Sequence, residues 1–230
     1  MHIHGLQKLS MVDFPGKIAA TVFTGGCNLR CPFCHNALLV TRLSESPRME
    51  EAEVLKFLRS RKGLLDGVVL TGGEPLLQTG AMDFLAAVRD MGFAVKLDTN
   101  GCYPQLLARI LEQKLVDYVA MDIKNSKEKY GITVGLPKFD ISPVEESIRL
   151  LLDGATDYEF RTTVTQELHT SEDILAIGQW IKGAKHYYLQ NFEDSGNLIC
   201  GSFTGFSEEQ IRAFASQAAP YVGYIGVRGY

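Results

Sequence analysis

The chain contains 230 residues, of which 46% are hydrophobic and 22% are charged, and its formal net charge is −4 at pH 7. This composition is typical of a globular protein, and the length suffices to bury a full core in one large domain or two small ones. Because the chain is mildly acidic and contains no run of Lys or Arg, we expect it to bind neither nucleic acid nor an anionic membrane.

Targeting signals are not evident in the sequence. The N-terminal residues lack the charged segment followed by an apolar segment that marks a signal peptide. No apolar run approaches the roughly 20 residues that a membrane-spanning helix needs. The five cysteines are an odd number, which argues against a disulfide framework. We therefore expect a cytoplasmic protein with reduced thiols.

Predicted strands and helices alternate along the chain after an N-terminal hairpin. The hairpin is predicted for residues 5–17, with a turn at Pro15 and Gly16, and residues 37–48 are expected to form a polar connection. Runs rich in β-branched residues predict strands over residues 18–24, 67–71, 94–98, 116–122, 158–164, 186–190 and 221–227. Helical spacing of apolar residues predicts helices over residues 49–62, 81–91, 104–113, 142–153, 171–182 and 207–218. Ser171 is the expected N-cap of the helix that it begins.

This alternation indicates an α/β fold with parallel strands that are joined by right-handed crossovers. Six strand–helix units are followed by one further strand, without a linker-like change in composition. We therefore predict a single domain over residues 1–230, with the hairpin in residues 1–17 and an incomplete parallel barrel in residues 18–230. A flat, doubly wound sheet is the alternative, because periodicity does not separate the two.

Polar clusters follow nearly every predicted strand. They lie at residues 27–34, 71–75, 98–101, 122–124 and 190–191. The carboxyl ends of barrel strands carry the active site in enzymes with this architecture, so we expect these groups to be neighbours in space.

Three cysteines within eight residues form the first of these clusters. Cys27, Cys31 and Cys34 have the spacing C-x3-C-x2-C. Thiolates at this density select an iron–sulfur cluster or zinc. His35 could complete a zinc site, but the adjacent side chains of Cys34 and His35 are poorly placed to occupy two corners of one tetrahedron. Three thiolates leave one iron of a cubane cluster open, which would make it a reactive site.

The second cluster contains the sequence Gly72-Gly73-Glu74-Pro75. Two glycines allow positive φ and a close approach of the backbone to a ligand. The Glu74 carboxylate could accept hydrogen bonds from an ammonium group. On its own, this segment is equally typical of a tight turn that leads into a helix.

The cysteine triplet followed by the Gly-Gly-Glu-Pro segment resembles the radical S-adenosylmethionine (SAM) superfamily. Residues 26–36, 71–78, 97–101 and 121–124 resemble, more narrowly, the glycyl-radical-enzyme activating enzymes. Residues 6–10 and 13–16 are similar to the anaerobic ribonucleoside-triphosphate reductase activating proteins within that group.

This resemblance implies a partial (β/α)6 TIM-like barrel and a [4Fe-4S] cluster that is ligated by Cys27, Cys31 and Cys34. It implies an enzyme that cleaves SAM reductively to a 5′-deoxyadenosyl radical, which abstracts hydrogen from a glycine of a large glycyl radical enzyme. A flavodoxin- or ferredoxin-type protein would donate the electron. No catalytic acid or base is required, because the adenosyl radical abstracts the hydrogen and the protein positions it.

The resemblance also assigns roles to residues around SAM. Gly72, Gly73 and Glu74 would hold its methionine end, the loop at Phe33 would lie against its adenine, and His35 would have a supporting role. A monovalent cation near SAM would be bound by three residues at two strand ends, namely Asp98, Thr99 and Asp122.

Asp122 and Lys124 are two residues apart on a strand, so their side chains point to the same face. By resemblance they would bind the ribose hydroxyls and carboxylate of SAM, although an internal salt bridge is the alternative. Arg161 matches an arginine near SAM in the family, and a surface arginine on a strand is its alternative interpretation.

One segment departs from the pyruvate formate-lyase activating enzyme. Where that enzyme has a histidine after the sixth strand, this chain has Phe192, so Gln190 or Asn191 would take over the contact on the adenine side. Pyruvate formate-lyase is therefore a weaker candidate for the partner. Two more functional classes stay open, namely a small-molecule radical SAM enzyme of the 7-carboxy-7-deazaguanine synthase type and a metal-binding module without catalysis.

Overall fold

The computed structural model describes residues 1–194 and 196–229; Tyr230, the last residue of the predicted domain, lies outside them. The described strands are β1 (Ile3–Ser10), β2 (Ala19–Thr24), β3 (Gly67–Gly72), β4 (Ala94–Thr99), β5 (Tyr118–Asp122), β6 (Asp157–Val164), β7 (Tyr187–Asn191) and β8 (Ile225–Arg228). The described helices are α1 (Ala37–Thr41), α2 (Glu51–Ser60), α3 (Ala81–Asp90), α4 (Pro104–Glu112), α5 (Tyr130–Thr133), α6 (Ser142–Asp153), α7 (Ser171–Trp180) and α8 (Glu208–Ala218).

The strands form one sheet in the order in which they occur along the chain, from β1 to β8. β1 pairs with β2 in antiparallel fashion, whereas β2 with β3, β3 with β4, β6 with β7 and β7 with β8 are parallel. A doubly wound sheet reverses its strand order at a switch point, and this sheet does not. The predicted α/β class with parallel, sequentially ordered strands is therefore confirmed.

By its internal contacts, the chain divides into two compact units. The first comprises Met1–Asn28, Asn36–Thr99 and Tyr103–Val119, and the second comprises Leu29–His35, Asn100–Cys102 and Ala120–Tyr230. The first unit thus contains β1 to β4 and α1 to α4, and the second contains β6 to β8 and α5 to α8. That the whole chain acts as a single domain remains a prediction.

Strands β2 and β3 of the first unit are buried on both faces. In β2, Ala19, Ala20 and Val22 are fully buried, and in β3, Val69 and Leu70 are. Strands covered by helices on both sides have continuous apolar runs rather than alternation, which is why they were recognisable in the sequence.

The N-terminal hairpin differs from its prediction in extent. β1 does not pair within residues 5–17 but with β2, from Ile3 opposite Thr24 to Ser10 opposite Ala19. Strand β1 ends at Ser10, because its Oγ accepts hydrogen bonds from the N–H groups of the second and third residues after it. The predicted turn at Pro15 and Gly16 is present, and Gly16 has a φ of +68°.

Three further differences are local. The predicted polar connection at residues 37–48 contains α1, since Ala37 and Val40 are buried. The N-cap of α7 is Thr170 rather than Ser171, because both the N–H and the hydroxyl of Thr170 donate to Oδ2 of Asp173 at 2.9 and 3.0 Å. The short helix α5 was not predicted.

Among the described residues, no helix is both long and apolar enough to cross a bilayer.

Candidate functional site

Of the three motif cysteines, Cys31 is buried, and Cys27 and Cys34 are partly buried. The N–H of Cys34 donates to the carbonyl of Cys31 at 3.1 Å, so these two residues lie on one turn. Within residues 1–194 and 196–229, no group of three or more His, Cys, Asp or Glu side chains is already arranged to hold a metal ion. The donors nonetheless have the chemistry of an iron–sulfur site, since all three are soft thiols in one short segment.

Aromatic side chains of the second unit pack around the cysteine loop. The ring of Phe33 meets His169 and Phe203 edge-on, at centroid distances of 6.4 and 5.9 Å. The ring of His35 lies 5.1 Å from Phe192. Burial, reinforced by the positive charge of Lys124, lowers the pKa of His35, so the imidazole is neutral at physiological pH.

The Gly-Gly-Glu-Pro turn lies against the backbone that precedes Cys27. The N–H of Gly73 donates to Thr24 O at 2.9 Å, and the N–H of Glu74 donates to Gly26 O at 2.8 Å. Gly72 has a φ of +123°, and a Cβ on Gly73 would lie 2.0 Å from Gly26 O. Both glycines are thus required by the fold itself, because a side chain at either position would separate the turn from the cysteine segment.

Glu74 is completely buried. Its Oε1 accepts hydrogen bonds from the N–H of Leu76 at 3.0 Å and from Oγ1 of Thr99 at 2.9 Å. The carboxylate therefore caps the turn that follows it, as the tight-turn interpretation predicted. The same contacts fix its orientation, which a ligand-binding carboxylate also needs.

Thr99 and Asp98, the predicted cation ligands at the end of β4, both have protein partners. The Thr99 hydroxyl donates to Glu74. Oδ1 of Asp98 lies 3.2 Å from Nζ of Lys96, which is buried and also donates to the carbonyl of Asp13. The monovalent cation remains a prediction.

The Asp122 carboxylate forms ion pairs with two basic side chains. Its Oδ2 accepts from Lys124 Nζ at 2.9 Å and its Oδ1 from Arg161 Nε at 2.8 Å. Burial alone would raise the pKa of Asp122, but Arg161 and Lys124 outweigh it and hold that pKa at about 2. The Arg161 side chain is 12% exposed, so its surface interpretation is wrong. The internal salt bridge that we considered for Asp122 and Lys124 is present.

Lys124 also interacts electrostatically with Cys31 of the cysteine loop. Burial would lower the pKa of its ammonium group, whereas the negative charges of Asp122 and Cys31 raise it, and the net direction is upward. Lys124 is thus a permanent positive charge in the electrostatic environment of a motif cysteine.

His169 is a residue that the sequence did not reveal. Its Nδ1 accepts from the N–H of Thr165 at 3.2 Å, so its Nε2 carries the proton and donates to the Lys124 carbonyl at 2.9 Å. Burial lowers the pKa of His169 and keeps the ring neutral. Its edge contact with Phe33 and its bond to Lys124 connect two predicted SAM-binding segments of the second unit. A single histidine that follows a strand belongs to no sequence pattern from which these contacts could be predicted.

The two candidates at the end of β7 differ in their bonding. Asn191 uses both ends of its amide on Phe206, since Nδ2 donates to the carbonyl at 3.0 Å and Oδ1 accepts from the N–H at 2.8 Å. The side chain of Gln190 is partly buried and makes no hydrogen bond within the described part of the chain. Of the two, Gln190 therefore retains the greater capacity to contact a ligand.

Comparisons with known proteins agree with these motifs. The family model of the radical SAM superfamily matches residues 21–177. A Methanocaldococcus jannaschii protein, provisionally named as a glycyl-radical enzyme activating enzyme, is 31% identical over 234 residues, which cover 98% of this chain and 95% of that protein. The pyruvate formate-lyase-activating enzyme of Staphylococcus aureus is 34% identical over 151 residues, which cover 61% of this chain and 60% of that enzyme.

A solved structure shows the same fold. The crystal structure of Streptococcus suis SuiB bound to precursor peptide SuiA superposes with a TM-score of 0.73 at 14% identity, and the match covers 91% of this chain and 48% of that one. The matched family model, the near full-length relative and the order of the two motifs lead to one conclusion. The chain belongs to the radical SAM superfamily and, within it, to the family of glycyl-radical-enzyme activating enzymes.

Proposed function

We propose that this protein is the activating enzyme of an anaerobic ribonucleoside-triphosphate reductase and acts as a single radical SAM domain. The observation that carries the proposal is the backbone bond from Glu74 N to Gly26 O, 2.8 Å long, which joins the predicted SAM-binding turn to the residue before Cys27. The Gly-Gly-Glu-Pro turn and the residue before Cys27, which are distant in sequence, are thereby held together in the first unit.

Cys27, Cys31 and Cys34 would hold a [4Fe-4S] cluster, and when it is bound this cluster supplies the electron that splits SAM into methionine and a 5′-deoxyadenosyl radical. Gly72, Gly73 and Glu74 would orient the methionine end of SAM. The glycine backbone offers close approach, and the buried carboxylate can accept hydrogen bonds from the amino group.

Asp122, Lys124 and Arg161 would bind the carboxylate and ribose of SAM. Their mutual ion pairs hold the three charged groups in fixed positions, which lowers the ordering cost of binding. Phe33 and Gln190 would contact the adenine, with His35 in support. The Asp98 and Thr99 pair, with Asp122, would bind a monovalent cation.

The choice of partner rests on sequence. Residues 6–10 and 13–16 resemble the reductase activating proteins, and Phe192 replaces the histidine of the lyase activating enzyme. Pyruvate formate-lyase is the second candidate partner, supported by 34% identity to its activating enzyme over 151 residues. We further propose a cytoplasmic location and a flavodoxin- or ferredoxin-type electron donor, without a role for nucleic acid or membranes.

The test is an anaerobic reconstitution with iron and sulfide, followed by reduction and addition of SAM and the purified reductase. We expect a glycine-centred doublet in the electron paramagnetic resonance spectrum. The doublet should be absent in Cys34→Ala and present in Cys200→Ala, because Cys200 is exposed and lies outside the motif. Cleavage of SAM without a doublet would point to another partner or to a small-molecule substrate. A well-formed cluster that does not cleave SAM would overturn the proposal.

A further inference from the structure

Tyr130, the first residue of α5, has a buried hydroxyl group without a hydrogen-bond partner among the described residues. The residue is 1% exposed, and its hydroxyl makes no hydrogen bond within the described residues. Its ring is stacked on Phe139 at 5.4 Å and meets Trp180 edge-on at 6.0 Å. The ring cannot turn the hydroxyl elsewhere without losing these contacts. A buried polar group without a partner destabilises the folded state, so this arrangement needs a reason.

The segment that begins with Tyr130 is packed directly on the cysteine loop. The N–H of Arg30, the residue before Cys31, donates to the carbonyl of Val134 at 2.9 Å. A Cβ on Gly135 would lie only 2.3 Å from Arg30 O, so the two backbones are in close contact. Helix α5 is thereby held next to the segment that carries Cys31.

The electrostatic environment keeps the hydroxyl protonated. Burial and, after it, the negative charges of Cys102 and Cys31 raise the pKa of Tyr130. The N–H of Lys124 approaches the phenol oxygen without reaching hydrogen-bond geometry. The protonated Tyr130 hydroxyl is therefore a hydrogen-bond donor, and it interacts electrostatically with Cys102 and with the motif residue Cys31.

We propose that the Tyr130 hydroxyl donates a hydrogen bond to a sulfur on the Cys31 side of the iron–sulfur cluster. This inference rests on the proposed function, because it requires that the cysteine loop holds a cluster. A donor to a cluster sulfur stabilises the additional negative charge of the reduced state and raises the reduction potential. Tyr130 would thus set how readily the cluster accepts the electron that SAM cleavage consumes.

The experiment compares wild type, Tyr130→Phe and the control Tyr224→Phe, whose tyrosine is 52% exposed. Each protein is reconstituted to equal iron and sulfide content and titrated redox-potentiometrically without SAM. At a fixed solution potential, we expect Tyr130→Phe to have a reduced-to-oxidised ratio about tenfold lower than wild type, which corresponds to a midpoint about 59 mV more negative. Tyr224→Phe should match wild type.

Thermal unfolding of the cluster-free proteins separates this role from a structural one. Because the hydroxyl has no partner there, Tyr130→Phe should unfold at the same temperature as wild type or above it. Equal midpoints in wild type and Tyr130→Phe would overturn the inference and leave the proposed function intact. A shift that appears only with SAM present would also overturn it, because the acceptor would then be SAM. Failure of the wild type to form a cluster would overturn both.

Discussion

Thr99 donates a hydrogen bond from Oγ1 to Oε1 of Glu74 across 2.9 Å, and both side chains are buried. The end of β4 therefore supports the Gly-Gly-Glu-Pro turn that follows β3. This bond gives Thr99 a role that does not depend on a cation: it holds the carboxylate that we propose to bind the amino group of SAM.

Replacing Thr99 with Val removes this donor and keeps the shape of the side chain. A hydrogen bond to a charged group is worth about 1.5–3 kcal/mol, so we expect SAM to bind Thr99→Val roughly tenfold more weakly than wild type, or worse. Thr99→Ser keeps the hydroxyl and should bind SAM within a fewfold of wild type. Isothermal titration of the reconstituted proteins measures both affinities. Equal binding by Thr99→Val would show that Glu74 does not depend on Thr99.

Gly73→Ala tests the close contact between the turn and the cysteine segment. The new Cβ would lie 2.0 Å from Gly26 O, and a backbone atom cannot rotate away as a side chain can. We expect overpacking to destabilise the protein by about 1–3 kcal/mol and to lower the amount of cluster that can be reconstituted. Denaturant unfolding and iron content are the two measurements.

Gly80→Ala is the matched control for that substitution. Gly80 has a φ of +89°, and no atom lies within 4 Å of the position that a Cβ would take, so its substitution adds backbone strain without a collision. We expect it to lower stability by roughly 1 kcal/mol while the cluster content stays at the wild-type level. A comparable loss of cluster in both variants would mean that general destabilisation, rather than the Gly26 contact, is responsible.

The sequence predicted features that depend on nearby residues. The strands β2 and β3 were found because their buried apolar runs are continuous, and the cysteine spacing pointed to a soft metal because all three ligands lie in one loop. Helix α5 was missed because four residues, Gly131 among them, are too few for helical periodicity to appear.

Contacts between segments that are distant in sequence could not be predicted from the sequence. Asp122 and Arg161 are 39 positions apart. Alternation along one strand put Asp122 and Lys124 on one face, but their pairing with Arg161 depends on the register that the Ile123 N–H to Arg161 O bond sets at 2.8 Å. The role of His169 likewise depends on two loops that meet only in the folded chain.

Asp122→Asn should destabilise the protein in a pH-dependent manner. At pH 7 it leaves Lys124 and Arg161 without their carboxylate, and we expect a loss of about 3 kcal/mol, at the low end for a broken buried ion pair because the Asp122 side chain is 27% exposed. The folded pKa of Asp122, about 2, lies below its ordinary value of 3.8. Its contribution is therefore complete above pH 4 and is lost as the pH falls towards 2.

The difference in unfolding free energy between wild type and Asp122→Asn should accordingly shrink as the pH is lowered from 5 to 2.5. Urea unfolding at a series of pH values measures it. The control is Asp157→Asn, at an exposed carboxylate on the first residue of β6. A difference that stays constant over this range would show that Asp122 is not held ionised by its two partners.

His169→Gln should weaken the pH dependence of the unfolding free energy between pH 5 and pH 7. Burial lowers the folded pKa of His169 below 6.5, so below that pH the unfolded chain binds more protons than the folded one. Wild-type stability should fall as the pH is lowered from 7 towards 5, whereas Gln can still donate to the Lys124 carbonyl and does not titrate. The slope of unfolding free energy against pH should therefore be shallower in His169→Gln than in wild type. His186→Gln, at an exposed histidine, should retain the wild-type slope, and a wild-type slope in His169→Gln would mean that His169 is not the group that titrates.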